Sequence, residues 1–371
     1  MPRSKYKKQK DGRFYAKVWD GTYLPDGKRH NVMLVSSKSS KDLELKVLEF
    51  KKNILDRVCL FSSNSLFTDY STKWLEVYKP SIEINTRAMY LRVINVYFPF
   101  LDGIKLSEIR RIHFQSLINE NIEHPRTCQQ ISLTFKQIIQ SAISDKLLPP
   151  NTFFDVCHKI ALPKYVPGEK RGLTIKEKSA LSSAPFTSKE QAFIYLAFGC
   201  GLRRGEILAL TAFDIDLKSN SLTINKAICF DGNTPCIKAP KSQNGYRTVP
   251  MPAFLSSFLS TYLKSLKNSY LFTTQKGELM TKSSYRKMWE NIFNKINSTL
   301  GGTKSLKVTD LTPHVFRHNY CSNLCYQIPQ ISIKKIAQLL GDSEKMVIEV
   351  YNHVLEERED VSGALSEAIH L

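Results

Sequence analysis

At 371 residues the chain is long enough for two or three domains. Its composition, 42% hydrophobic and 23% charged, excludes whole-chain disorder, and no apolar run reaches the roughly 18 residues a membrane span needs. Lys and Arg outnumber Asp and Glu by 53 to 34, a net charge of +19, which points to a polyanionic partner, nucleic acid before membrane.

The start, Met1-Pro2-Arg3-Ser4-Lys5, carries charge with no apolar core behind it and is not expected to be a secretory signal. The eight cysteines form no C-x-x-C pair. They read as reduced thiols in cores of a cytoplasmic protein, not as zinc ligands.

Arg13 to Trp19 alternates with period two and predicts a strand; Leu24 to Lys28 predicts a turn and Arg29 to Val35 the returning strand. Ser40 is the expected cap of a helix whose core face is Leu43, Val47, Phe50 and Ile54. Residues 1–57 thus predict a basic module, a three-stranded sheet plus a helix; the competing reading is a weakly folded tail. After a polar linker at Phe61 to Ser65, the spacing predicts helices near Phe67–Tyr78, Thr86–Phe98, Leu106–Ile122 and Cys128–Leu147. Residues 66–165 therefore predict an all-helical bundle. The basic stretch Pro163 to Gly172 is the expected linker to a third domain, 172–371. That domain predicts mostly helix, with a small sheet from Ser221–Cys229, Cys236–Lys241 and Tyr246–Met251. The fold class expected is mainly α with small β elements.

Three segments of the last domain carry candidate chemistry. Gly199-Cys200-Gly201-Leu202-Arg203-Arg204-Gly205-Glu206 places two arginines at an exposed helix start, an expected anion site. In Thr312-Pro313-His314-Val315-Phe316-Arg317-His318, Thr is the expected cap and Pro the first helical residue, and His314 and Arg317 share a face. Leu339-Leu340-Gly341-Asp342-Ser343 ends a helix, and Tyr351-Asn352-His353 follows. Alone, each has a bland reading: surface arginines, a core histidine, a packing tyrosine.

Together, in this order and spacing, the segments resemble the tyrosine recombinases, the phage integrase family of DNA breaking and joining enzymes. The resemblance implies that the Tyr351 hydroxyl attacks the scissile phosphodiester and forms a 3′-phosphotyrosine, conserving the bond energy for rejoining. It implies that Arg203 and Arg317 grip the non-bridging oxygens and that His314 manages a proton or binds the phosphate. It also implies a lysine general acid from a β-hairpin. Lys241 is the choice and Lys238 the alternative, because hairpin lengths vary in the family. Arg204 is then a backbone-phosphate or structural contact. No metal and no cofactor are expected.

By the same resemblance, residues 1–57 look like an arm-type DNA-binding domain, 66–165 like a core-binding domain and 172–371 like the catalytic domain. The partners implied are double-stranded attachment-site DNA, a homo-tetramer on that DNA, and accessory factors such as an excisionase or a host DNA-bending protein, with no membrane. Residues 355–371 are expected to form a helix that docks on a neighbouring protomer. One residue departs from the family pattern. Asp342 stands where His or Trp is usual, and an ionised Asp cannot donate to a phosphate. It is expected to cap the next helix, or else to pair with Arg317 or Arg203; on the first reading Asp342→Asn should cleave unimpaired. The competing functional readings are a topoisomerase of the same chemistry and a DNA-binding protein on a decayed recombinase scaffold.

Overall fold

A computed structural model describes residues 5–23, 29–58, 62–166, 168, 171–301, 308 and 310–356. The chain divides into two units, Met1–Tyr165 and Val166–Leu371.

In the first unit, β1 (Phe14–Tyr23) and β2 (Arg29–Ser36) pair antiparallel, with Ala16 opposite Leu34 and Val18 opposite Val32. Period-two alternation puts Ala16 and Val18 on one face, and α1 (Ser40–Val58) buries Leu43 and Val47 against them. The cap is Ser39, not Ser40: Ser39 Oγ accepts the Asp42 N–H at 3.1 Å, while Ser40 Oγ accepts that of Tyr6 at 3.1 Å. The expected third strand is a correction. Among the described residues the sheet has two strands, because the segment ahead of β1 closes on itself in a turn, Gln9 N–H donating to Arg13 O at 2.9 Å. The expected turn at Leu24–Lys28 and the Ile54 side chain lie outside the described residues.

A separate core follows, built by α2 (Phe67–Tyr78), α3 (Ile84–Arg92), α4 (Arg111–Asn119), α5 (Pro125–Ser144) and α6 (Thr152–Cys157). Phe67, Phe98, Phe114 and Phe135 are fully buried, the last two stacked with centroids 4.0 Å apart. Its buried polar tips are partnered: Trp74 Nε1 donates to Ser141 Oγ at 2.9 Å. The helix expected over 86–98 is α3 followed by a π-turn, Val93–Tyr97, whose wider winding keeps Val93, Ile94 and Phe98 all in the core. The helix expected from Leu106 starts at Arg111, after a 3₁₀ turn at Leu106–Glu108.

The second unit opens with α7 (Ile175–Ser183), α8 (Ser188–Cys200) and α9 (Arg204–Ala209). α7 and α8 begin with capping boxes, Thr174 with Glu177 and Thr187 with Glu190. Five short strands follow: β3 (Ile215–Asp216), β4 (Ser221–Ile224), β5 (Ala227–Asp231), β6 (Thr234–Lys238) and β7 (Arg247–Pro250). They make a three-stranded sheet in the order β3-β4-β7 and a separate β5-β6 hairpin. The strand expected over 221–229 is therefore broken, at Asn225–Lys226, where Lys226 Nζ turns to Asp214 at 2.6 Å. Helices α10 (Ala253–Lys264) and α11 (Lys282–Thr299) complete the main core around Phe193, Leu208, Leu255, Phe272 and Ile292. A second core joins α12 (Pro313–Cys325), α13 (Ile333–Leu340) and α14 (Glu344–Glu356) through Cys325, Ile336, Leu340, Val347 and Val354. Residues 357–371, where a docking helix is expected, lie outside the described residues. Among the described residues no helix is long and apolar enough to cross a membrane.

Candidate active site

The site grows from two sharp helix ends. α8 stops at Gly201, in the left-handed conformation at φ +61°. A Cβ there would stand 2.4 Å from the Tyr320 ring, so glycine is what lets α12 lie so close. Arg203 follows at the entry to α9, whose first turn carries Glu206. The helix start expected to offer an anion site is already filled by that carboxylate: Glu206 Oε2 accepts the Arg203 backbone N–H at 2.9 Å, and Oε1 accepts Arg203 Nη1 at 2.9 Å. α13 likewise ends at a left-handed glycine, Gly341, at φ +64°. This turn presents Asp342 to the same point.

α12 supplies His314 and Arg317 from its first two turns. Pro313 takes the first position as expected, but the Thr312 side chain makes no capping hydrogen bond. Arg317 is 8% exposed. Its Nη1 donates to Gly201 O at 2.8 Å and its Nη2 to Leu340 O at 2.6 Å, so two backbone carbonyls at helix ends fix the guanidinium. Arg203 Nη2 donates to Gly341 O at 2.9 Å.

Asp342 lies between the two arginines. Its Oδ1 accepts from Arg203 Nη2 and its Oδ2 from Arg317 Nη2. The carboxylate does not cap α14; of the two expectations for this residue, the structure has the pairing. On the other side, Glu206 also binds Arg247, through Nη1 at 3.1 Å and Nη2 at 2.8 Å. Five side chains of alternating sign result: Arg247, Glu206, Arg203, Asp342, Arg317. Burial would raise the Glu206 carboxyl, but the hydrogen bonds and charge of Arg247, with Arg203 behind them, hold it below its ordinary value.

His314 is solvent-exposed at one end of a cavity of about 710 Å³ whose wall also includes Arg171, Asp310, Arg317, Asp342 and Val350. Partial enclosure, then the guanidiniums of Arg317, Arg204 and Arg203, keep its imidazole below the ordinary histidine value, with Asp342 opposing. A neutral imidazole among arginines can accept a proton or donate to a phosphate oxygen. The structure thus gathers Arg203, Arg317 and His314. Tyr351 sits on α14, half-buried against the α12–α14 core, one residue after the cavity-lining Val350. Its hydroxyl has no hydrogen-bond partner among the described residues. Lys241 is exposed in the connection between β6 and β7, and Lys238 ends β6 opposite Ala227; neither lines the cavity. Arg204 packs its guanidinium over Phe230 and Tyr285, 5.7 and 5.3 Å from the ring centroids.

Several functional side chains have no role in the sequence reading. Glu206 lies within the quoted arginine motif, and its position three after Arg203 at a helix start is the signal of a backbone-capping acid. Arg247, 5% exposed at its side chain, has no such local signal, since its partner is 41 residues away. Arg171 is a third. It forks between Glu177 at 2.7 Å and Asp310 at 2.7 Å, tying the start of this unit to the chain just ahead of α12.

The phage integrase family profile matches residues 174–358, and the profile of the phage integrase N-terminal SAM-like domain matches residues 66–121. The chain is 27% identical over 354 residues to a XerC-like tyrosine recombinase of Caldanaerobacter subterraneus subsp. tengcongensis, covering 86% of this chain and 87% of that protein. It is 27% identical to the tyrosine recombinase XerA of Thermococcus onnurineus, over 57% of this chain and 63% of the relative. Among solved structures, the Tn1549 transposon integrase bound to transposon right-end DNA superposes with a TM-score of 0.66 at 21% identity, covering 82% of this chain and 99% of that one. A lambda integrase dimer bound to a core site gives 0.57 at 14% identity, with 95% of each chain covered. These likenesses give the same fold. With the two family profiles covering well over half of its length, the chain belongs to the phage integrase family, the tyrosine recombinases.

Proposed function

We propose that the chain is the integrase of a mobile element, acting on specific double-stranded DNA sites in the cytoplasm. The observation that carries this reading is the convergence of Arg203 and Arg317 on one anion, the Asp342 carboxylate, beside His314. Two guanidiniums with a neutral imidazole next to them suit a phosphodiester whose charge grows in the transition state. Tyr351 Oη attacks the scissile phosphorus and gives its proton to the neutral His314 imidazole, the bond to the 5′ oxygen breaks, and a 3′-phosphotyrosine forms. Lys241 gives its proton to the leaving 5′ oxygen. The reverse steps, with a 5′ hydroxyl from another strand, rejoin the DNA. Residues 1–57 bind arm-type sites and 66–165 bind the core site. The working assembly is a homo-tetramer on DNA, with accessory proteins setting direction. The curated relatives are recombinases, which does not favour the topoisomerase or decayed-scaffold readings.

The test is a nicked suicide duplex carrying a site that the full chain selects from a random pool. Wild type should form a covalent protein–DNA adduct. Tyr351→Phe should bind the duplex with unchanged affinity and form none. An adduct with the Phe variant would move the nucleophile elsewhere, and no adduct with wild type would overturn the reading.

A further inference from the structure

We propose that Asp342 is a positioning residue: as a carboxylate, it sets the spacing and orientation of Arg203 and Arg317 for the scissile phosphate, and does not touch the phosphate itself. The proposal rests on the recombinase reading above. Each oxygen of Asp342 takes the Nη2 of a different arginine, so one rigid carboxylate fixes the separation of two guanidiniums that would otherwise repel each other.

The donor count separates positioning from blockage. Arg203 spends Nη2 on Gly341 O and Asp342, and one Nη1–H on Glu206. Arg317 spends Nη2 on Leu340 O and Asp342, and one Nη1–H on Gly201 O. A guanidinium has five N–H donors. Each therefore keeps its Nε–H and one Nη1–H uncommitted among the described residues. A carboxylate that merely occupied the phosphate's place would consume the donors a phosphate needs. Asp342 instead pins the matching Nη2 corner of both arginines and leaves two donors on each. Backbone carbonyls support both Nη2 corners, Gly341 O on Arg203 and Leu340 O on Arg317, and the Nη1 of each is held by Glu206 and by Gly201 O. Removing the charge from Asp342 therefore frees the two guanidiniums to separate, and the loss appears in the chemistry more than in DNA affinity.

The experiment compares full-length wild type with Asp342→Asn and Asp342→Glu on the selected suicide duplex. A second duplex carries a neutral methylphosphonate at the scissile position. Wild-type adduct on the first duplex establishes the phosphotyrosine chemistry of that reading independently. Asp342→Asn should bind DNA within about threefold of wild type and form adduct about 100-fold more slowly, the scale of one lost transition-state donor set. On the methylphosphonate, which has less charge for the arginines to neutralise, its deficit should shrink at least tenfold. Asp342→Glu, which keeps the carboxylate, should recover at least a tenth of the wild-type rate. Equal deficits of the Asn variant on both duplexes would reduce Asp342 to a folding role. A rate at or above wild type would make it a competitor of the phosphate. A Glu variant as slow as the Asn variant, or a loss of DNA binding in both, would also overturn the proposal.

Discussion

Glu206 is the more buried of the two acids in the charge ladder, and Glu206→Gln removes its charge while keeping its shape. Its side chain is 7% exposed and that of Arg247 5%, so this pair is desolvated on both sides. Breaking a buried pair by neutralising one member costs about 3–5 kcal/mol, because the other charge is left buried. The Arg203 half adds little, since that side chain is 36% exposed and water replaces the partner. The lower end, about 3 kcal/mol, is the expected loss. For a domain of roughly 150–250 residues, each kcal/mol moves Tm by about 2–4 °C, which gives a fall of about 6–12 °C. The assay is thermal unfolding of wild type and variant at pH 7 and in steps down to pH 3. The Glu206 carboxyl is held below its ordinary value of 4.5 in the folded state. Its contribution is thus full above that pH and is lost as pH falls through the lower folded value. The gap between wild type and variant should be widest at pH 7 and narrow progressively below about pH 4.5. A gap under 1 kcal/mol at pH 7, or one that does not narrow in acid, would refute the reasoning.

Arg203→Ala and Arg317→Ala should each slow adduct formation about 100-fold or more in single turnover, with Arg317→Ala also lowering Tm because it empties a buried site. Lys241→Ala should slow cleavage and regain speed on a bridging 5′-phosphorothiolate, whose leaving group needs no proton; such rescue of Lys238→Ala alone would transfer the role to that residue. His314 is held below its ordinary value of 6.5 and should be neutral a unit above that value. The cleavage rate should accordingly show no His314-dependent fall between pH 8.5 and 7.5, and such a fall within that window, absent in His314→Gln, would contradict the assignment. Deletion of residues 1–57 should leave core-site cleavage intact and abolish binding to a second, arm-type duplex selected by the full chain, measured by titration at two salt concentrations.

What could be read in the sequence divides by range. Arg203, His314 and Arg317 stand in short motifs at helix starts, where cap, proline and glycine signals are local, and these three meet in the fold; Tyr351 lies in the middle of α14. Period-two and helical spacing likewise located most of the elements. Illegible were the features set by distant partners. Nothing near Arg247 marks it as the mate of Glu206, and nothing in Ser221–Cys229 marks the break at Asn225–Lys226, which depends on Asp214. Asp342 was half legible. Its chemistry excluded a donor to phosphate, but the local pattern favoured a helix cap, and only the fold brings two arginines to it. The expected third N-terminal strand has no run of period-two residues to mark it, and it has no counterpart among the described residues.

The close approach at Gly341 ties two parts of the site mechanically. A Cβ on that residue would lie 2.7 Å from Asn244 O and 2.8 Å from Arg247 Nη1. Asn244 belongs to the same connection as Lys241, and Gly341 is joined directly to Asp342. The loop that carries Lys241 and the turn that carries Asp342 therefore meet at a glycine, with the Arg247 guanidinium beside it donating to Gly245 O on one side and Leu339 O on the other. A shift of the Lys241 loop is therefore felt at the Asp342 turn, and a shift of that turn at the loop.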